Sequence, residues 1–220
     1  MRYCLVLAGE LDVSLLHDEQ EEVRWVGVDR GAFSIVKEGL PLIAAIGDFD
    51  SGDSPAKLAH LETLQQLEIA HREKDETDLE LAVRWLTSRE DVTEIVLYGA
   101  TGGRYDHQYA TLFYLARQKQ QGLLSAPTII KDVNNKQSIY TKGTYNVERD
   151  EEKPYVSFLP LNGDVSGLTL HGMKYELNDC HISFGSTLCI SNELIKQHGS
   201  FSFKEGVLLL VQSRDGSAPK

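Results

Sequence analysis

Cysteine is scarce in this chain, with three among 220 residues, at Cys4, Cys180 and Cys189. None forms a CxxC pair and their number is odd, which argues against a disulfide framework and points to a reducing, cytoplasmic setting. Long apolar runs are missing as well, so no segment spans a bilayer. The opening Met1-Arg2-Tyr3-Cys4-Leu5-Val6-Leu7 is too short for the apolar core of a signal peptide and reads as a first strand. Basic charge is in deficit: 22 Lys and Arg against 33 Asp and Glu give a net charge of −11. That balance excludes a nucleic-acid surface, which needs a basic face, but leaves room for a nucleotide held by a few local cations and a metal. Neither a Walker A loop, a G-x-G-x-x-G fingerprint nor a Gly-x-Ser-x-Gly elbow occurs. The histidines are scattered without zinc spacing, and only His107 lies within a motif.

What is there has the texture of an ordinary globular protein, with 41% apolar and 25% charged residues. Up to about residue 132 the pattern is strand, turn, helix, repeated. The expected strands are Arg2 to Ala8, Arg24 to Val28 closed by Asp29-Arg30-Gly31, Ile43 to Ile46, Glu68 to His71, Glu94 to Tyr98 and Thr128 to Lys131. Ser54-Pro55 with Leu58, Leu61 and Leu64 predicts a helix after the third strand. Thr77 and Glu80 form a capping box ahead of Leu79, Ala82, Val83 and Leu86. Tyr109, Leu112, Phe113 and Ala116 repeat the helical spacing, and Gly122 marks a stop.

Near residue 133 the helical periods vanish. Short β-branched and aromatic runs follow at Ser138 to Thr141, Tyr145 to Glu148, Tyr155 to Leu159, Leu168 to His171, His181 to Phe184, Leu188 to Ser191, Phe201 to Phe203 and Val207 to Gln212. Turn signals separate them, which predicts a small antiparallel sandwich or barrel. The expected architecture is therefore α/β in residues 1–135, a mostly parallel, Rossmann-like sheet with helices on both faces, followed by an antiparallel β-sandwich in 136–220.

In a parallel sheet, ligands bind beyond the carboxyl ends of the strands. Acid and glycine gather at that edge here: Asp29 after the second strand, Asp48 and Asp50 after the third, Asp75 and Asp78 after the fourth, and Gly99, Gly102 and Gly103 after the fifth. Asp48 and Asp50 share one side if the chain stays extended across Phe49. Their mutual repulsion is relieved by a hard cation, and Mg²⁺ takes carboxylates together with phosphate oxygens. Asp75 and Asp78 also suit a helix start as simple macrodipole partners, and Thr77 is most simply the cap. The glycines precede a helix N-terminus whose free N–H groups suit anions, with Arg104 as a charge-assisted donor and Asp106 as either a ligand or a partner that orients it. Carboxylates, glycines and one arginine are the equipment of phosphoryl transfer.

Taken in order, Val28-Asp29-Arg30-Gly31-Ala32, Gly47-Asp48-Phe49-Asp50-Ser51, Asp75-Glu76-Thr77-Asp78 and Gly102-Gly103-Arg104-Tyr105-Asp106-His107 resemble the motifs of the thiamin pyrophosphokinase family. Phe184-Gly185-Ser186 and Ser191-Asn192-Glu193 look like its C-terminal thiamin-binding segment, so the resemblance covers nearly the whole chain. It implies a homodimer with active sites at the subunit interface, and transfer of a pyrophosphoryl group from ATP to the thiamin hydroxyl with release of AMP. It implies Mg²⁺ on Asp48, Asp50 and Asp78, with Asp29 completing the acidic centre. Nucleotide falls to Gly99, Gly102, Gly103, Arg104, Asp106 and His107, and thiamin to Thr77, Ser191 and Asn192. Two departures stand out: Arg30 where the family often has glycine, and Gly9-Glu10 in place of a common Gly-Gly. From the residues alone, a D-x-D nucleotide-sugar transferase and a non-catalytic sensor of ATP and Mg²⁺ remain alternatives, as chemistry that would ignore thiamin or bind without turnover.

Overall fold

The computed structural model describes residues 1–19, 22–49, 58, 64–69 and 75–216. It divides into two compact units: Met1–Tyr114 with Ala126–Val133, and Leu115–Ser125 with the chain from Asn134 onward.

The first unit is built on a parallel sheet. Its strands are β1 (Arg2–Val6), β2 (Val23–Val28), β3 (Leu42–Gly47), β4 (Gln66–Ile69), β5 (Glu94–Tyr98) and β6 (Thr128–Lys131), in the spatial order β6-β5-β1-β2-β3-β4. Each neighbouring pair runs parallel. The central strands are buried nearly end to end, all six residues in β3, because helices exclude water from both faces. Helices α1 (Ser14–His17), α2 (Arg30–Lys37) and α3 (Asp78–Thr87) belong to this unit, and α4 (Tyr105–Gln120) begins in it and ends in the second. Among the described residues no helix is long and apolar enough to cross a membrane.

One local difference from the expectation has a clear cause. Asp29-Arg30-Gly31 does not end in a turn; Arg30 opens α2 at once. Gly31 serves a close approach instead, since a Cβ there would lie 1.7 Å from the Val6 carbonyl oxygen. Gly27 on β2 does the same for the other side of the contact, where a Cβ would lie 2.2 Å from Ala32 Cα. Strand β4 is described over Gln66–Ile69 and so begins ahead of the expected Glu68; the expected end at His71 lies outside the described residues. The helix expected from Ser54-Pro55 also lies outside them, except for Leu58 and Leu64; Leu58 is buried in the core with Phe49, Ile35 and Leu42.

The second unit is antiparallel. It contains β7 (Asn135–Glu148), β8 (Tyr155–Pro160), β9 (Val165–His171), β10 (Leu177–Ile182), β11 (Asn192–Glu193) and β12 (His198–Ser213). The order is β10-β9-β12-β7, with β8 on β12 and β11 on β8. Four expected short strands are in fact two long ones. Ser138 to Thr141 and Tyr145 to Glu148 both belong to β7, and Phe201 to Phe203 and Val207 to Gln212 both belong to β12. Pairing of β12 with β7 continues from His198↔Glu148 to Ser213↔Asn135, shifted by a bulge between Phe203 and Val207. Gly206, at φ 105°, lets the strand bend without leaving its partner. Ahead of the bulge β12 also pairs with β9, and beyond it with β8. The bend thus lets one strand serve two antiparallel layers, which enclose a core of Phe158, Leu168, Phe201 and Leu210 among others.

Candidate active site

At the carboxyl edge of the parallel sheet, Asp29 is the N-cap residue of α2 and takes φ 49° and ψ −122°, a conformation rare outside glycine. It is held there from two sides. Its N–H donates to the Ile46 carbonyl at 2.9 Å, and its own carbonyl accepts from Ala32 at 3.1 Å. Gly47 makes the approach possible, because a Cβ there would lie 3.0 Å from Asp29 Cα. One carboxylate oxygen of Asp29 is buried. Strained backbone that the surroundings over-determine clusters at functional sites.

Asp48 follows Gly47 and is half-buried. The extended path proposed for Asp48-Phe49-Asp50 does not hold, because Phe49 has φ 51°. The reason is packing: its ring turns into the core and meets Phe33 edge-on at 6.1 Å. The chain therefore turns at Phe49, and the extended condition under which the two aspartates would share one side is not met there. Asp50 lies outside the described residues. Asp78 is the first residue of α3, which packs against β2 and β3, the strands that Asp29 and Asp48 directly follow. Among the described residues no three His, Cys, Asp or Glu side chains gather as a metal site, and the group completed by Asp50 reaches beyond them. Asp29, Asp48 and Asp78 do not by themselves gather to hold an ion; as carboxylates they are hard oxygen donors, the ligand type that Mg²⁺ takes.

Thr77 caps α3 as its spacing predicted. Its hydroxyl oxygen accepts from the Glu80 N–H at 3.3 Å, while Glu80 Oε2 accepts from the Thr77 N–H at 2.7 Å.

The glycine loop is tied to the exit of β1. Leu7, Gly9 and Glu10 donate in turn to the carbonyls of Tyr98, Gly99 and Thr101. Gly99, Gly102 and Gly103 all have φ between 64° and 76°, so the turn needs glycine at each. Glu10, one of the departures noted above, lies over Gly102, with its Oε2 2.7 Å from where a Gly102 Cβ would be. Arg104 holds Asp106 through two hydrogen bonds, Nε to Oδ1 at 3.1 Å and Nη2 to Oδ2 at 2.6 Å. The pairing that the orienting role requires is thus present. Hydrogen bonding from Arg104 holds the Asp106 carboxyl down at about 2. Asp106 Oδ1 also accepts from the His107 N–H at 3.0 Å, and the His107 side chain is exposed.

In the second unit, Leu188 to Ser191 forms no strand. Ser186 donates to the Ser183 carbonyl and Ile190 to the Thr187 carbonyl, so residues 183–190 are two successive turns. Phe184, Leu188 and Ile190 stand exposed on them, while Cys189 between is buried and its carbonyl accepts from Phe158 at 3.0 Å. Burial pushes the Cys189 thiol up to about 11. Ser191 has φ 56°, and its N–H donates to Ser157 Oγ at 2.9 Å. Asn192 is only 2% exposed, and its amide works inward. Oδ1 accepts from the Tyr175 and Glu193 N–H groups, and Nδ2 donates to the Tyr175 carbonyl. It fixes the Tyr175 backbone beside Ser191, so Ser191 is the exposed member of the pair.

Sequence reasoning missed Ser157 and Asp164, which hold this loop from 34 and 20 residues away. No local signal marks them, since Ser157 sits inside a strand and Asp164 follows what reads as an ordinary Asn-Gly turn. It also missed Glu19, which receives the Tyr98 hydroxyl, Arg2 at 3.0 Å and Lys131 at 3.5 Å.

Comparison with known proteins is consistent across sequence and structure. Residues 17–124 match the profile "Thiamin pyrophosphokinase, catalytic domain", and residues 144–208 match "Thiamin pyrophosphokinase, vitamin B1 binding domain". The chain is 39% identical over 196 residues to the thiamine pyrophosphokinase of Bacillus subtilis (strain 168), covering 89% of each chain. The crystal structure of a thiamine pyrophosphokinase from Bacillus subtilis superposes with a TM-score of 0.86 at 35% identity, over 98% of this chain and all of that one. Thiamin pyrophosphokinase from Geobacillus thermodenitrificans gives 0.83 at 38% identity over the whole of both chains. With its strand-end motifs, its two units and matches along nearly its full length, the chain belongs to the thiamin pyrophosphokinase family.

Proposed function

We propose that this chain is a thiamin diphosphokinase, moving a pyrophosphoryl group from ATP to the hydroxyl of thiamin and releasing AMP. The observation that carries the reading is the match of both family profiles in one chain, together with 39% identity over 89% of a thiamine pyrophosphokinase. A nucleotide-sugar transferase has no counterpart for the second profile, and a bare sensor has no need of it.

The finer assignments rest on the motifs and on local geometry. In this proposal residues 1–135 bind nucleotide and Mg²⁺, and residues 136–220 bind thiamin. Attack falls on the β-phosphorus, so the hydroxyl must lie in line with the departing AMP oxygen. Bound at Asp48, Asp50 and Asp78, Mg²⁺ would neutralise the triphosphate. Asp29 adds to the acidic centre from rigid backbone. The Gly99, Gly102 and Gly103 loop offers backbone N–H groups to phosphate oxygens, and Arg104, aimed by Asp106 beside His107, offers a charged fork. Ser191 faces thiamin, Asn192 positions it, and Thr77 touches the substrate from the cap of α3. The exposed Phe184, Leu188 and Ile190 suit the apolar faces of thiamin's two rings. The active form is a cytoplasmic homodimer in which one subunit's Ser191 segment completes the other's nucleotide site.

Incubation with ATP, Mg²⁺ and thiamin, followed by chromatography, is expected to yield thiamin pyrophosphate and AMP in equal amounts. ADP with thiamin monophosphate, or no thiamin product, would overturn the reading. Asp48→Asn, Asp50→Asn and Asp78→Asn should each cut turnover by orders of magnitude with the fold retained. Full activity in any of them removes that residue from the metal site.

A further inference from the structure

The segment 183–191 lies between β10 and β11 and carries no strand or helix, yet its ends are held by side chains from elsewhere. At its far end Ser157 Oγ accepts the Ser191 N–H, and the Asn192 amide clasps Tyr175. At its near end Asp164 Oδ1 accepts the Phe184 N–H at 2.8 Å, and Asp164 Oδ2 lies 3.2 Å from His181 Nε2. Phe184 itself is 60% exposed, so its backbone N–H is fixed while its ring faces outward.

Asp164 is in turn aimed by the bulge of β12. A Cβ on Gly206 would lie 2.5 Å from the Asp164 carbonyl oxygen and 2.9 Å from Val165 Cγ2. Only the glycine at φ 105° lets the turn ahead of β9 settle this close to β12. The neighbouring Leu161 N–H donates to the Val207 carbonyl at 2.9 Å, which pins the turn from its other side. The chain of contacts is continuous: bulge, turn, carboxylate, Phe184 N–H, exposed ring.

We propose that Asp164 is a positioning residue for thiamin, holding the Phe184 end of the 183–191 segment in register so that Phe184 and Ser191 face the same ligand. The inference rests on the assignment of that segment to thiamin. Asp164 touches no substrate; it acts through the Phe184 backbone, and its second oxygen faces His181 across a pair that is more than half exposed. A free acid in an ordinary surface turn has no such consequence, and its removal leaves both substrate constants alone.

The test is steady-state kinetics on the full chain with each substrate varied in turn. A hydrogen bond to an ionised acceptor is worth about ten-fold or more in an equilibrium, so Asp164→Ala is expected to raise the thiamin KM about ten-fold. The ATP KM and the melting temperature should move little. Asp164→Asn keeps an acceptor oxygen for the Phe184 N–H and should restore the thiamin KM to within about three-fold of the parent. Equal changes in both KM values, no change in either, or an Asn variant as impaired as the Ala variant would each overturn the proposal. Phe184→Ala separates the two levels. A raised thiamin KM in that variant beside an unaffected Asp164→Ala leaves the segment as the thiamin site and removes Asp164 alone. An unaffected Phe184→Ala removes both.

Discussion

Replacing Gly31 by alanine sets two well-known effects against each other. Inside an exposed helix this exchange stabilises by about 1 kcal/mol, because alanine restricts the unfolded chain. Here the new methyl would lie 1.7 Å from the Val6 oxygen and 2.4 Å from the Val6 carbonyl carbon. Both are backbone atoms of β1, which is paired with β2 on one side and β5 on the other, so they have little freedom to yield. Ordinary contact needs about 3.5 Å, and α2 must therefore lift from the sheet by well over an ångström. Overpacking of that kind costs about 1–3 kcal/mol and sometimes more, which exceeds the propensity gain. The expected net loss is about 1 kcal/mol or more, read from urea denaturation followed by circular dichroism. Activity should fall further than stability, because α2 carries Asp29 at its start and the Asp29 N–H is anchored on Ile46. Gly39, at φ 70° with open space around it, is the control. Alanine there meets only backbone strain of about 1–2 kcal/mol, with turnover of the folded enzyme unchanged. A Gly31→Ala enzyme as stable and as active as the parent would refute the close approach between α2 and β1.

Two further outcomes follow from charge. Burial pushes the Glu19 carboxyl up, but the Tyr98 hydroxyl, Lys131 and Arg2 together outweigh it and hold it below the usual range. A depressed carboxylate contributes stability above its unfolded value and loses it as pH falls through the folded one, so Glu19→Gln should destabilise at neutral pH and converge with the parent in acid. A constant difference across that range contradicts the network. The Arg104–Asp106 pair, with Asp106 held at about 2, stays ionised through the neutral range. Asp106→Ala should accordingly raise the ATP KM by a similar factor at every neutral pH, and a pH-dependent effect would assign Asp106 a different role.

Much of the first unit was legible because its signals are local. The buried strands read as apolar runs, β5 and β6 at their observed bounds, and the Thr77–Glu80 box fixes the start of α3. Glycine was read less well. Gly31 has the look of a turn signal, but its function is set by Val6, distant in sequence, and nothing next to it says so. The bend at Phe49 was hidden for the same reason, since it depends on Phe33 being there to receive the ring. In the second unit, the breaks at Gly143 and Gly206 look like strand ends, whereas β7 and β12 run on through them because their pairing resumes beyond the bulge. Asp106 beside Arg104 shows the converse case, a contact two residues apart that spacing alone allowed. Asn192 was assigned to ligand from its motif, and its buried amide turned out to be occupied by Tyr175 and Glu193, a contact only folding reveals.

The sharing of β12 between two layers also bears on how the protein is made. Strands β7, β8 and β9 leave the ribosome before the strand that all three pair with, the first of them well before, since Asn135 waits for Ser213. The parallel sheet needs nothing beyond β6 and can form while synthesis continues. The antiparallel unit must instead wait with open hydrogen-bonding edges, and closes late through contacts that are distant along the chain, a slow topology. Released chains truncated before His198 should therefore engage chaperones that chains extending through Ser213 no longer need.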